Sequence, residues 1–165
     1  LGAPAGAAEL NKPNETITEF VIGFDSDPER AEEEAIAEAA TRAIDGDYET
    51  KGLLIEVGGG ICYTRMLIEH KIYMRPTQTR DQQVVAGYGN SCERAYEDAR
   101  DKATALLSDS CRSTARINDK KDERAQSRCR ANSAGYWIKS ATFAKYNGKW
   151  TCIMKFEYLK DKEAE

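Results

Sequence analysis

The chain holds a single histidine, His70, in the run "LIEHKIY". Any Ser/His/Asp or Cys/His catalytic set would have to use it. A carboxylate within hydrogen-bond reach would be needed to orient it as a general base. The run alternates in the manner of a strand, and His70 falls mid-strand on the apolar-leaning side. A lone imidazole so placed is expected to be structural. The carboxylates of "ERAEEEAIAE" are expected to form the solvated face of a helix. Gly58-Gly59-Gly60 lies between two strand-like runs rather than ahead of a helix, so it lacks the setting of a phosphate-binding loop. Gly87-Tyr88-Gly89 does precede a helix, whose N-terminus favours an anion. The remaining glycine of a dinucleotide fingerprint is missing, and Glu93 would repel the anion. No catalytic constellation and no cofactor are expected.

The cysteines are the other reactive groups: Cys62, Cys92, Cys111, Cys129 and Cys152. None lies in a Cys-x-x-Cys pair, and with one histidine the ligand spacing of a zinc site is missing. Cys92 and Cys111 bracket a predicted helix. At 1.5 Å per residue they stand about 28 Å apart, too far to bond. Cys111 and Cys129 bracket a polar segment, and a bridge there would contribute roughly 3 kcal/mol in the chain-entropy picture. Cys92 would then reach Cys152 or Cys62. Alternatively Cys62 and Cys152, both on apolar strand faces, are buried thiols. The odd count leaves one thiol unpaired or bonded to another chain. This usage favours an oxidising, extracytoplasmic setting: secreted, periplasmic or cell-surface. The opening "LGAPAGAA" is what a chain would show after signal-peptide removal, and Asn14-Glu15-Thr16 forms a glycosylation sequon.

The elements that position these groups repeat. "GFDSDPERAEEEAIAEAATRAI" and "GYGNSCERAYEDARDKATALL" align at a shift of 64 residues. Val21 meets Val85, Gly23 meets Gly87, and Phe24 meets Tyr88. Glu29-Arg30-Ala31 meets Glu93-Arg94-Ala95, while Ala35 and Ala39 meet Ala99 and Ala103. Alanines four apart line one narrow helical stripe that can lie close on a sheet. Ser26 or Asp27 is expected to cap the first helix, with Pro28 at its first position, and Ser91 to cap the second. Each helix is followed by two strand-like runs. In the second unit Asn147-Gly148 joins them, a hairpin signal because both turn positions need positive φ. The reading is α+β: a tandem duplication of a strand-helix-strand-strand unit forming an antiparallel sheet with two helices on one face. A tail spans 1–15, the first repeat 16–75, a linker 76–81, and the second repeat 82–160 with an insertion at 108–135.

That insertion carries seven Lys/Arg against four Asp/Glu and shows no clear periodicity. Long loops in compact domains are commonly functional. Arg112, Arg116, Lys120, Lys121 and Arg128 are therefore candidate contacts for an acidic protein or polysaccharide.

The whole chain, with 165 residues, 41% hydrophobic and 32% charged, has an ordinary globular composition. Its net charge of −4 argues against a general nucleic-acid binder, and no apolar run reaches membrane-spanning length. From the first helix to the second, the order helix, three strands, helix resembles a double-stranded-RNA-binding domain. Its closing motif is similar to Gly87-Tyr88-Gly89-Asn90-Ser91 before an alanine-rich helix. Where that family places phosphate-gripping lysines, this chain has Cys92 and Glu93, so nucleic-acid binding is not expected. Both repeats also resemble small bacterial envelope modules in which a strand ending near glycine feeds a helix with alanine every fourth residue. That resemblance implies an extracytoplasmic, non-catalytic domain. The expected function is a non-enzymatic structural or assembly subunit, homo-oligomeric or built in with other chains. The alternative is a binding module using the 108–135 segment.

Overall fold

The computed structural model describes residues 12–58, 61–114, 116–117, 120–121 and 135–161. The chain divides into two units, one ending at Gln78 and the other starting at Thr79. The first contains β1 (Glu15–Asp25), α1 (Pro28–Arg42), a 3-10 turn (Ile44–Gly46), β2 (Tyr48–Gly58) and β3 (Ile61–Ile72). β3 is central, with β1 and β2 antiparallel on either side. The second contains β4 (Gln78–Gly89), α2 (Cys92–Thr114), the short strands β5 (Arg116–Ile117) and β6 (Lys120–Lys121), β7 (Tyr136–Tyr146) and β8 (Lys149–Asp161). Here β8 is central between β4 and β7. In both units the main sheet is ordered first strand, third strand, second strand.

The helices start where the capping residues require. Asp27 takes the Glu29 N–H at 3.1 Å, with Pro28 next in line. Ser91 Oγ takes the Arg94 N–H at 3.2 Å. Each helix then lays its alanine stripe on its sheet. Ala31, Ala35 and Ala39 are fully buried, as are Ala95, Ala99 and Ala103. The approach is close enough to demand glycine beneath it. A methyl on Gly23 would strike the Ala31 carbonyl oxygen and lie 2.7 Å from Ala35 N. A methyl on Gly87 would strike the Ala95 carbonyl oxygen and lie 2.8 Å from Ala99 Cα. Around this contact the first unit packs Val21, Met66 and Ile68 against Ala35 and Ala39. Each such aliphatic side chain contributes about 1.5–3 kcal/mol by leaving water. The second unit uses larger groups, including Trp137, Tyr136, Phe156 and Met154, all buried.

The two hairpins share their register. Tyr48 pairs with His70 and Tyr136 with Tyr158; Leu53 pairs with Met66 and Ala141 with Met154, so the hairpins coincide at a shift of 88 residues. Each has one bulge on its first strand, between Thr50 and Gly52 in one and between Ile138 and Ser140 in the other. The β7–β8 turn has Asn147 at φ 51° and Gly148 at φ 77°, the two positive values the Asn-Gly pair predicts.

Two expectations change. The sheets are separate and three-stranded, each with one helix, rather than one sheet beneath two helices. One physical reason lies at β4, an outer strand. Its Tyr88 N–H donates to Asp98 Oδ2 at 2.9 Å, and its Ala86 carbonyl accepts from Lys102 Nζ at 2.8 Å. Side chains of α2 thus occupy backbone groups that another strand would need. The second change is in the insertion. Its first residues are helical, because Leu107 continues the stripe of Ala99 and Ala103 and is itself buried, carrying α2 on to Thr114.

Candidate functional site

The alternation of β1 turns Ile17, Glu19, Val21 and Gly23 toward α1. Glu19 is thereby a carboxylate in an apolar row. On β3 the inward residues are Thr64, Met66, Ile68 and His70. Arg42 closes the last turn of α1, where a cation suits the negative end of the helix. These three side chains meet. Arg42 Nε donates to Glu19 Oε1 at 2.5 Å, and His70 Nε2 bonds Glu19 Oε2. Glu19 is 0%, His70 3% and Arg42 6% exposed. Both carboxylate oxygens are occupied. His70 Nδ1 is buried and has no hydrogen-bond partner among the described residues.

This cluster has the residue types of a histidine–carboxylate base. It lacks access, because a base must come within roughly 3 Å of the proton it takes. The ring and the carboxylate are covered by α1 and by their own sheet. What the arrangement does is neutralise a buried carboxylate and tie β1, β3 and α1 together at one end of the core. Among the described residues no group of three or more His, Cys, Asp or Glu is arranged to hold a metal ion.

The corresponding positions of the second unit differ. Glu19 corresponds to Gln83, His70 to Tyr158, and Arg42 to Leu106. Gln83 Nε2 donates to Tyr158 Oη at 3.1 Å, but Gln83 and Leu106 are exposed, so this end of the second unit is open where the first unit has its buried triad. The second unit's ion pairs lie elsewhere: Arg80 Nε donates to Glu157 Oε1 at 2.7 Å, and Lys102 Nζ stands 3.1 Å from Asp98 Oδ2. On α2, Asp98 is held below the usual carboxylate value, first by the Tyr88 N–H and then by the hydrogen bond from Lys102. Lys102 also lies 4.7 Å from the centroid of the Tyr88 ring.

Cys92 and Cys152, taken as disulfide candidates, are buried thiols, and no disulfide occurs among the described residues. Cys152 fills the strand-face position expected of a thiol acting as a small hydrophobe. Cys92 opens α2, which runs unbroken past Cys111 and so separates those two by about 28 Å. Cys111 and Arg112 belong to the end of α2, while Cys129 and Arg128 lie outside the described residues. Arg116, Lys120 and Lys121 come together in the β5–β6 ribbon, where Arg116 pairs with Lys121. Asn14 of the sequon is engaged at its side chain. Its Nδ2 donates to Met74 O at 2.7 Å and its Oδ1 accepts from Met74 N at 2.8 Å.

Reading the sequence singles out His70 but not its partners. The available signal for Glu19 was a charged residue on the inward parity of "ITEFVIGF". Arg42 carried no signal, because its role depends on where the helix ends over the sheet. No known protein family, curated protein or solved structure matches this chain.

Proposed function

We propose that this chain is a non-enzymatic structural subunit that assembles with copies of itself in an extracytoplasmic setting. The observation that carries the reading is the sealing of Glu19, Arg42 and His70. The one histidine and its carboxylate are spent on holding the core, so the contribution of this unit is shape rather than reaction. Large apolar side chains left exposed on strands of both units, including Leu54, Val84 and Tyr146, support association with other protein surfaces. The extracytoplasmic part rests on the cysteine count and on the likeness to envelope modules. The proposal includes descent of the two units from one duplicated ancestor. Its supports are the matched residues at a shift of 64, the common strand order and the common hairpin register. Sedimentation velocity over a dilution series tests the assembly. A sedimentation coefficient that rises with concentration is expected, and an invariant monomer would sink the reading.

One observation favours the second reading, a binding module for an acidic partner. The backbone pairing of Arg116–Ile117 with Lys120–Lys121 brings three basic residues of the segment into one short ribbon. Reversing the charge at Arg116, Lys120 and Lys121 should abolish salt-sensitive retention on an immobilised polyanion. Unchanged retention would exclude this ribbon.

A further inference from the structure

We infer that the Asp98–Lys102 pair of α2 guards the outer edge of β4, taking the place of a neighbouring strand and keeping that edge from pairing with a second copy of the chain. β4 is an outer strand next to β8, and an outer strand offers a row of N–H and C=O groups to any strand that comes alongside. Here two of those groups are taken. The Tyr88 N–H donates to Asp98 Oδ2 at 2.9 Å, and Lys102 Nζ donates to the Ala86 carbonyl at 2.8 Å. The two side chains are themselves paired at 3.1 Å. One acceptor and one donor thus sit where the C=O and N–H of an added strand would bond. Gly87, between the two guarded residues, brings α2 close enough for this reach, since a methyl there would strike the Ala95 carbonyl oxygen. The Tyr88 N–H and then Lys102 hold the Asp98 carboxyl below its usual range, so the pair is ionised at neutral pH.

The first unit supplies the contrast. At a shift of 64 residues, Glu34 and Glu38 hold the positions of Asp98 and Lys102. Two ionised carboxylates have no donor to offer the carbonyl of Ile22, the counterpart of Ala86. That stretch of β1 is covered in another way, with Ile22 4% and Phe24 5% exposed. In β4 the counterpart of Phe24 is Tyr88, 57% exposed, and Val84 nearby is 60% exposed. The donor–acceptor pair therefore occurs on the strand whose apolar side chains are open to solvent, and an open apolar edge is the kind that adds strands. The guard closes this one edge whether or not the chain assembles through another surface.

Exchanging the two residues, Asp98→Lys with Lys102→Asp, tests the guard. The exchange keeps the net charge and an i,i+4 ion pair on α2, but sets a donor against the Tyr88 N–H and an acceptor against the Ala86 carbonyl. Both backbone groups are then released to an added strand. Sedimentation velocity at matched concentrations should show self-association at least about tenfold tighter than in wild type, whatever the wild-type level is. Lys102→Met, which frees the Ala86 carbonyl alone, should show a smaller shift in the same direction. Urea unfolding followed by tryptophan fluorescence should show the second unit still folded in both variants. Val84→Lys places a charge on the same strand, the usual means of blocking an edge, so in that background the exchange should have no effect. An exchanged variant that associates no more than wild type overturns the guard. So does an increase that persists in the Val84→Lys background, because the added contact would then lie away from β4.

Discussion

Replacing Arg42 with leucine leaves the Glu19 carboxylate buried, with His70 as its remaining partner in the triad. Breaking one side of a buried ion pair costs about 3–5 kcal/mol, because the charge left behind has lost its compensation. Small domains have a total stability of about 5–15 kcal/mol, so the first unit would be left near the edge of unfolding. With a urea slope of about 2 kcal/mol per molar, the midpoint should fall by about 2 M. The second unit supplies the rescue. Adding Glu19→Gln and His70→Tyr to Arg42→Leu installs the set found at Gln83, Tyr158 and Leu106, where glutamine and tyrosine bond at 3.1 Å. Exchanging a whole buried ionic set for neutral, well-packed groups is often neutral or stabilising. Gln83 and Leu106 are exposed in the second unit, so the transplanted set is not pre-packed for a sealed site, and the triple variant should recover only part of the loss. Far-UV circular dichroism follows both units. Both tryptophans, Trp137 and Trp150, lie in the second unit, so fluorescence follows that unit alone. In Arg42→Leu the dichroism should show an early transition that fluorescence lacks. A loss below about 1 kcal/mol in Arg42→Leu would refute the sealed triad. A triple variant no better than the single one would refute the equivalence of the two units.

Gly23→Ala and Gly87→Ala should each destabilise by roughly 1–3 kcal/mol in urea denaturation, because the added methyl strikes a helix carbonyl that the sheet cannot yield to. Gly148→Ala, at φ 77°, should cost about 1–2 kcal/mol by the same measurement through backbone strain alone, since an added methyl there meets nothing within 4 Å. Asp98 has a folded pKa below its usual 3.8, so its stabilising contribution is present at neutral pH and is lost as pH falls through the folded value. The stability advantage of wild type over Asp98→Asn should accordingly shrink between about pH 5 and pH 2, and an advantage that grows in acid would contradict the sign.

The elements legible from sequence are those set by local or single-contact rules. Gly23 and Gly87 with alanines every fourth residue signal a helix lying close on a strand, because only small groups permit that distance. Asp27 with Pro28 marks the start of α1, and Asn147-Gly148 marks a turn with two positive φ values. What was not legible depends on distant register. Glu19 meets His70 only because β1 and β3 pair as they do, and Arg42 joins them only because α1 ends over that spot. The number of sheets depends in part on whether outer-strand groups are already satisfied. At β4 that is decided by Asp98 and Lys102, whose side chains read in sequence as ordinary helix-surface charges. The extension of α2 into the polar 108–114 stretch hinged on Leu107, a single apolar residue at the right spacing.

The most direct test is the mass of native material in solution by static light scattering, at tens of micromolar, before and after reductant. The account predicts a multiple of the 18.4 kDa chain mass. It also predicts that reductant leaves that mass unchanged, since no disulfide occurs among the described residues. An 18.4 kDa monomer under both conditions would contradict it and turn attention to the basic β5–β6 ribbon and what it binds.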